Sequence, residues 1–138
     1  MKTMNTSRAF IDSNILVYPI SGETLKADRA EVILRNGPVI SVQILNEFAS
    51  LARRKYKLKW SEIAKVISLA RATCEIVPIT LAVHDLAIRT AEECSVGVYD
   101  ACIVAAAELS GCDVLLTEDM NDGQQIGAVK IRNPFDKW

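Results

Sequence analysis

Four carboxylates in this chain stand where a side chain of that type is hard to place by accident: Asp12, Glu47, Asp100 and Asp119. Asp12 ends the apolar run Ala9-Phe10-Ile11, and Thr117-Glu118-Asp119 follows the run Val114-Leu115-Leu116. Asp12 either caps a short helix Asn14–Tyr18 or offers its oxygens to a site. Thr117-Glu118-Asp119 is either a solvated acidic loop leading to the Asp122-Gly123 turn or the second half of that site. Asp100 opens Ala101-Cys102-Ile103-Val104-Ala105-Ala106-Ala107, a helix so apolar that it must be buried. An acid in its first turn is favoured by the helix dipole and is also a rigid mount for a ligand. Glu47 lies three residues after Ile44 and four before Leu51, so it borders the apolar stripe of its helix. A carboxylate there is costly unless paired or bound. Four such groups brought together repel one another, and a hard cation among them relieves that repulsion. All-oxygen ligation suits Mg²⁺ or Mn²⁺. A cation in such a cluster activates water and neutralises charge on an attacked phosphate, so the chemistry implied is phosphodiester hydrolysis.

Short apolar runs set the positions of these acids. Arg8–Asp12, Pro38–Val42, Glu75–Ile79, Asp113–Thr117 and Val129–Arg132 are rich in Val, Ile or Leu, the pattern of strands buried on both faces. Helical segments alternate with them: Glu23–Asn36, Gln43–Tyr56, Ser61–Thr73 with Ser61 as N-cap, Leu81–Cys94, and Tyr99–Ser110 stopped by Gly111. This order predicts an α/β fold, a three-layer α/β/α sandwich around a five-stranded mainly parallel sheet. Such sheets bind ligands beyond the carboxyl ends of their strands, which is where Asp12 and Asp119 fall.

The 138 residues suffice for a single domain over 1–138 with a sizeable core. Sixteen basic and seventeen acidic residues nearly cancel, so nucleic-acid contact requires a local patch. No apolar run is long enough to span a membrane, and Met1 to Arg8 lacks the apolar stretch of a signal peptide. Both point to a cytoplasmic protein. Cys74, Cys94, Cys102 and Cys112 lack the spacing of a zinc site and read as small apolar residues. The single histidine, His84, is remote from every acidic motif. A dehalogenase-type phosphatase wants a second Asp where Asn14 stands, and a phosphoacceptor receiver domain wants a Lys after a late strand. Glycine-rich nucleotide loops are absent.

The segments Phe10-Ile11-Asp12-Ser13-Asn14, Asn46-Glu47-Phe48, Tyr99-Asp100-Ala101-Cys102-Ile103-Val104-Ala105-Ala106-Ala107 and Leu115-Leu116-Thr117-Glu118-Asp119, running on to Asn133-Pro134-Phe135, together resemble the PIN-domain family. Within it they resemble the VapC-like toxins of toxin–antitoxin pairs. The resemblance implies a magnesium- or manganese-dependent endoribonuclease with Asp12, Glu47, Asp100 and Asp119 as its acids. It further implies that Asn14 and Thr117 support the metal site, that Asp122 matches a more variable acidic position, that the protein forms a homodimer, and that a cognate antitoxin blocks it. Ser13 stands where Thr is commoner in the family and keeps the hydroxyl. The most basic stretch is Arg53-Arg54-Lys55-Tyr56-Lys57-Leu58-Lys59-Trp60. Arg54 lies two turns from Glu47, so Arg53, Arg54 and Lys57 are candidate RNA contacts, with Tyr56 or Trp60 available for stacking. The same cations also suit the C-terminal dipole of a helix. A catalytically silent partner-binding scaffold is the alternative reading, with a Mg-dependent phosphatase ranked behind it.

Overall fold

The computed structural model describes residues 8–136. Of the segment Met1 to Arg8 read above for a leader, all but Arg8 lies outside them. Six strands form one sheet in the order β3-β2-β1-β4-β6-β5: β1 (Ala9–Ile11), β2 (Val39–Ser41), β3 (Glu75–Val77), β4 (Val114–Leu116), β5 (Gln125–Ile126) and β6 (Val129–Arg132). Every pairing is parallel except β5 with β6. The five strands expected from sequence are all present. The sixth, β5, is two residues long and joins β6 through a two-residue turn in which Gly127 takes a φ of 57°. A run that short carries no readable alternation, so only its glycine could have marked it.

The burial pattern explains the layering. Successive residues of a strand point to opposite faces, yet all three residues of β2 and the last two of β1 and β4 are buried. Both faces of the central sheet are therefore covered, as in the expected sandwich. At the margin β6 alternates buried Val129 and Ile131 with exposed Lys130 and Arg132.

The helices are α1 (Ser13–Val17), α2 (Thr24–Arg35), α3 (Val42–Arg54), α4 (Trp60–Thr73), α5 (Leu81–Cys94) and α6 (Val98–Leu109), with a 3-10 turn over Tyr18–Ile20. α6 packs across β2, β4 and β6 and against α5, while α3 packs on α1 and α4. Local chemistry sets the ends. Ser41 Oγ accepts from Ile44 N to cap α3, and Thr80 Oγ1 accepts from Val83 N to cap α5. The cap of α4 differs from expectation. Ser61 lies inside the first turn, and Glu62 accepts from Lys59 N at 2.8 Å, because its longer side chain reaches back to the free N–H. α6 ends as Gly111 takes a φ of 81°, with Gly111 N donating to Glu108 O and Cys112 N to Ala107 O, the paired bonds of a Schellman turn. No helix among the described residues is long and apolar enough to cross a membrane.

Candidate active site

The register of the two central strands places the first pair of site residues side by side. Ile11 pairs with Leu116, Asp12 N donates to Leu116 O, and the chain then delivers Asp12 beside Thr117. Thr117 is fully buried, and Asp12 is only 5% exposed. The Thr117 hydroxyl donates to Asp12 Oδ2 at 2.7 Å and accepts from Asp119 N at 3.1 Å. One buried hydroxyl thus fixes the carboxylate of the first strand and the backbone of the other acid. Asp12 Oδ1 accepts from Ser13 N at 2.7 Å, so Asp12 does cap α1. The two readings of this residue are compatible: the cap orients the side chain, and the location remains the carboxyl edge. Asn14, two residues on, donates through Nδ2 to Asp119 Oδ2 at 3.1 Å.

The helices bring the other two acids. Glu47 is half-buried on α3, where Gln43, one turn earlier, donates to its Oε2 at 2.8 Å. Asp100 is half-buried in the first turn of α6. Burial raises the Asp12 carboxyl above the usual range, partly opposed by Thr117 and Ser13, and the charges of Asp119 and Asp100 push it further up. Glu47 is raised by burial and by Asp12, Asp100 and Asp119, against the opposing bond from Gln43. Asp100 is raised by burial and by Asp119. All four predicted acids are therefore close enough to feel one another's charge.

They do not close a ready-made cage. Among the described residues no three acidic, histidine or cysteine side chains form a group that could hold a metal ion. The donor chemistry nevertheless fits a hard divalent cation, because every available ligand is an oxygen and the carboxylates oppose one another's ionisation. Asp12 is pinned by hydrogen bonds, whereas Asp119 is exposed and Asp100 accepts no side-chain bond among the described residues. Asp119 Oδ2 is nevertheless held by Asn14, so of the three only Asp100 lacks a side-chain hydrogen bond among the described residues.

Other candidates have different surroundings. Glu118 points away from the acids: it accepts from Tyr18 Oη and pairs with Lys26 Nζ at 3.1 Å. Lys26 also lies over the rings of Tyr18 and Phe135, which meet edge to face at 4.9 Å. This cluster anchors the loop after β4 and accounts for the Asn133-Pro134-Phe135 segment. Asp122 accepts from Asn133 N at 2.8 Å and secures the backbone after β6. Arg53 donates to Leu58 O at 3.0 Å and lies over the Trp60 ring, bracing the α3–α4 turn. Arg54 and Lys57 are exposed, and Lys57 sits in that turn with a φ of 58°. Lys55 and Tyr56 line a small cleft with Asn14, a juxtaposition that Arg54's spacing from Glu47 did not reveal. Gln43 was also missed, although its place four residues before Glu47 is the signal that finds it. His84 is exposed on α5, and all four cysteines are free. Burial pushes the Cys74 thiol up to about 11, consistent with an inert apolar residue.

Comparison with known proteins identifies the family and the fold. A PIN-domain family model matches residues 9–122, a span that contains all four acids. The fold is similar to that of a toxin–antitoxin complex from Klebsiella pneumoniae, with a TM-score of 0.67 and 25% identity over 91% of this chain and 97% of that one. It is similar in fold to VapBC2 from Rickettsia felis bound to a promoter DNA fragment, with a TM-score of 0.67 and 18% identity over 91% and 97% of the two chains. It is also similar in fold to Mycobacterium tuberculosis VapC20, a sarcin–ricin loop cleaving toxin, with a TM-score of 0.61 and 15% identity over 80% and 91%. A search of curated proteins gives no match. The family model covers most of the chain, and the mainly parallel sheet with helices on both faces fits it: this chain belongs to the PIN-domain family.

Proposed function

We propose that the protein is a divalent-cation-dependent endoribonuclease, the toxin of a toxin–antitoxin pair. The observation that carries this reading is the hydrogen-bonded group of Asp12, Thr117, Asp119 and Asn14 at the carboxyl edge of a PIN fold, with Glu47 and Asp100 on the helices beside it. These four would hold Mg²⁺ or Mn²⁺, with Asn14 and Thr117 orienting Asp119 and Asp12. The cation supplies activation of water and neutralisation of charge on the attacked phosphate. The chain supplies the rest. Thr117 and Ser13 hold Asp12 in one rotamer, Gln43 holds Glu47, and α6 sets Asp100 on a rigid buried mount. Arg54, Lys55 and Lys57, with Arg53 bracing their turn, lie at the C-terminal end of α3 and would carry the flanking phosphates. Asp122 serves the fold around the site rather than its chemistry.

The toxin reading rests on the solved relatives, which include a toxin–antitoxin complex from Klebsiella pneumoniae and the sarcin–ricin loop cleaving toxin of Mycobacterium tuberculosis. An antitoxin, a homodimer and an RNA substrate in the cytoplasm belong to the same proposal. The scaffold reading draws on the absence of a ready-made cage. One assay separates the two. A mixed RNA pool is incubated with wild type and Asp100→Asn in Mg²⁺, Mn²⁺ or EDTA. Cleavage by wild type alone, and only with the cation, is expected. Equal cleavage by the variant or in EDTA would refute the metal–carboxylate mechanism, and antitoxin binding with no cleavage would establish the scaffold.

A further inference from the structure

Beside the acids runs a solvent-open groove of about 720 Å³ whose lining is unlike theirs. Val42, Ile79 and Cys102 give it apolar walls, Asn46 and Ser50 a polar edge, and Tyr99 an aromatic ring that is 74% exposed. Among the described residues no Lys or Arg lines it, and Glu47 is its one charged lining residue. Asn46 and Ser50 make no side-chain hydrogen bond among the described residues, so their donors and acceptors are available to a ligand. The groove and the acid cluster share structure. Glu47 belongs to both, Tyr99 immediately precedes Asp100, and one Gln43 amide nitrogen donates to Glu47 Oε2 at 2.8 Å and to Tyr99 O at 3.2 Å.

This composition selects the ligand. A phosphate is excluded by the lack of cations and by the charge of Glu47. A neutral flat ring with donors and acceptors on its rim fits an exposed tyrosine face bordered by an amide and a hydroxyl. We infer that the groove is a nucleobase subsite: the base of a nucleotide flanking the scissile phosphate of single-stranded RNA stacks on Tyr99 and is read by Asn46 and Ser50. The inference rests on the nuclease reading above and specifies how that site grips its substrate. The layout of α3 agrees with it: the groove lining runs from Val42 to Ser50 with Glu47 inside it, and the cations Arg53 and Arg54 follow in the last turn, clear of the groove.

The test uses an RNA oligonucleotide with one mapped cut and versions made abasic at each flanking nucleotide, cleaved by wild type, Tyr99→Phe and Tyr99→Ala. Loss of one stacked base corresponds to roughly a tenfold rise in KM. Tyr99→Ala should show that rise, larger than any fall in kcat, while Tyr99→Phe stays near wild type. Removing the base at one flank should raise the wild-type KM similarly, and the two losses should not multiply. Multiplicative losses, or an unchanged KM in Tyr99→Ala, would overturn the subsite. So would sedimentation showing that Tyr99→Ala converts a two-chain species to one, since the groove would then face a second copy. If wild type cleaves no RNA, the nuclease reading fails on its own, and binding of a single strand carrying 2-aminopurine in EDTA decides the subsite. Quenching by wild type and Tyr99→Phe but not Tyr99→Ala sustains it; equal signals from all three remove it.

Discussion

Replacing Thr117 by valine isolates the hydroxyl that ties the site together. The two side chains have nearly the same shape, so no cavity opens around this fully buried position. What is lost is a 2.7 Å bond to Asp12 Oδ2 and a 3.1 Å bond from Asp119 N. Each stranded partner costs about 1–3 kcal/mol, with the carboxylate towards the upper end. Because Asp119 lies at the surface and can recruit water, the sum is about 2–4 kcal/mol. For a domain of this length that is a fall in melting temperature of roughly 6–14 °C. Urea unfolding of the cation-free protein at neutral pH measures it directly. Thr117→Ser, which keeps the hydroxyl and drops one buried methyl, should lose only about 1 kcal/mol. Cleavage should fall about 10–100-fold in the valine variant, as expected when the group orienting a ligand is removed. A valine variant within about 0.5 kcal/mol of wild type, or one less affected than the serine variant, would show that Thr117 does not organise the site.

The raised carboxyls of Asp12, Glu47 and Asp100 fix the sign of a pH effect. When the folded pKa exceeds the unfolded one, the folded state binds more protons between the two values, so stability falls as pH rises from about 4 upward. Cation-free Asp100→Asn should therefore unfold at higher urea than wild type at pH 7. The gap should close as pH drops through the carboxylate range, and a variant less stable than wild type at pH 7 would contradict this. Gly111→Ala places a Cβ at a φ of 81°, where nothing clashes but the backbone conformation is unfavourable. Thermal unfolding should register a loss of about 1–2 kcal/mol, and no change would mean the end of α6 can rewind.

Much of this architecture is legible in the chain because parallel strands buried on both faces are written as unbroken apolar runs. Ala9–Ile11 and Val114–Leu116 could be placed for that reason, and with them Asp12 and the Thr117–Asp119 segment. Glu47 and Asp100 follow from helix periodicity. Side-chain direction is what the pattern leaves open. Glu118 and Asp119 are adjacent in sequence, yet one turns to Lys26 and Tyr18 and the other to Asn14. Arg53 looks as available as Arg54 until the Leu58 carbonyl and the Trp60 ring occupy it. Those outcomes depend on residues distant in sequence or on a turn whose course no local signal fixes.

The bond between Thr117 and Asp12 spans 105 residues, and β1 and β4 are neighbours at the middle of the sheet. A ribosome delivers Asp12 early and Thr117 late. Until β4 emerges, β1 lacks its central neighbour, Asp12 Oδ2 lacks the Thr117 hydroxyl, and Asp119 does not yet exist. Strand pairings of such long range also form slowly. On the nuclease reading proposed above, the first four-fifths of the chain would be chemically inert while they are being made. Such a nuclease would be silent throughout its own translation, and a protein that restrained it would have that whole interval in which to be present first.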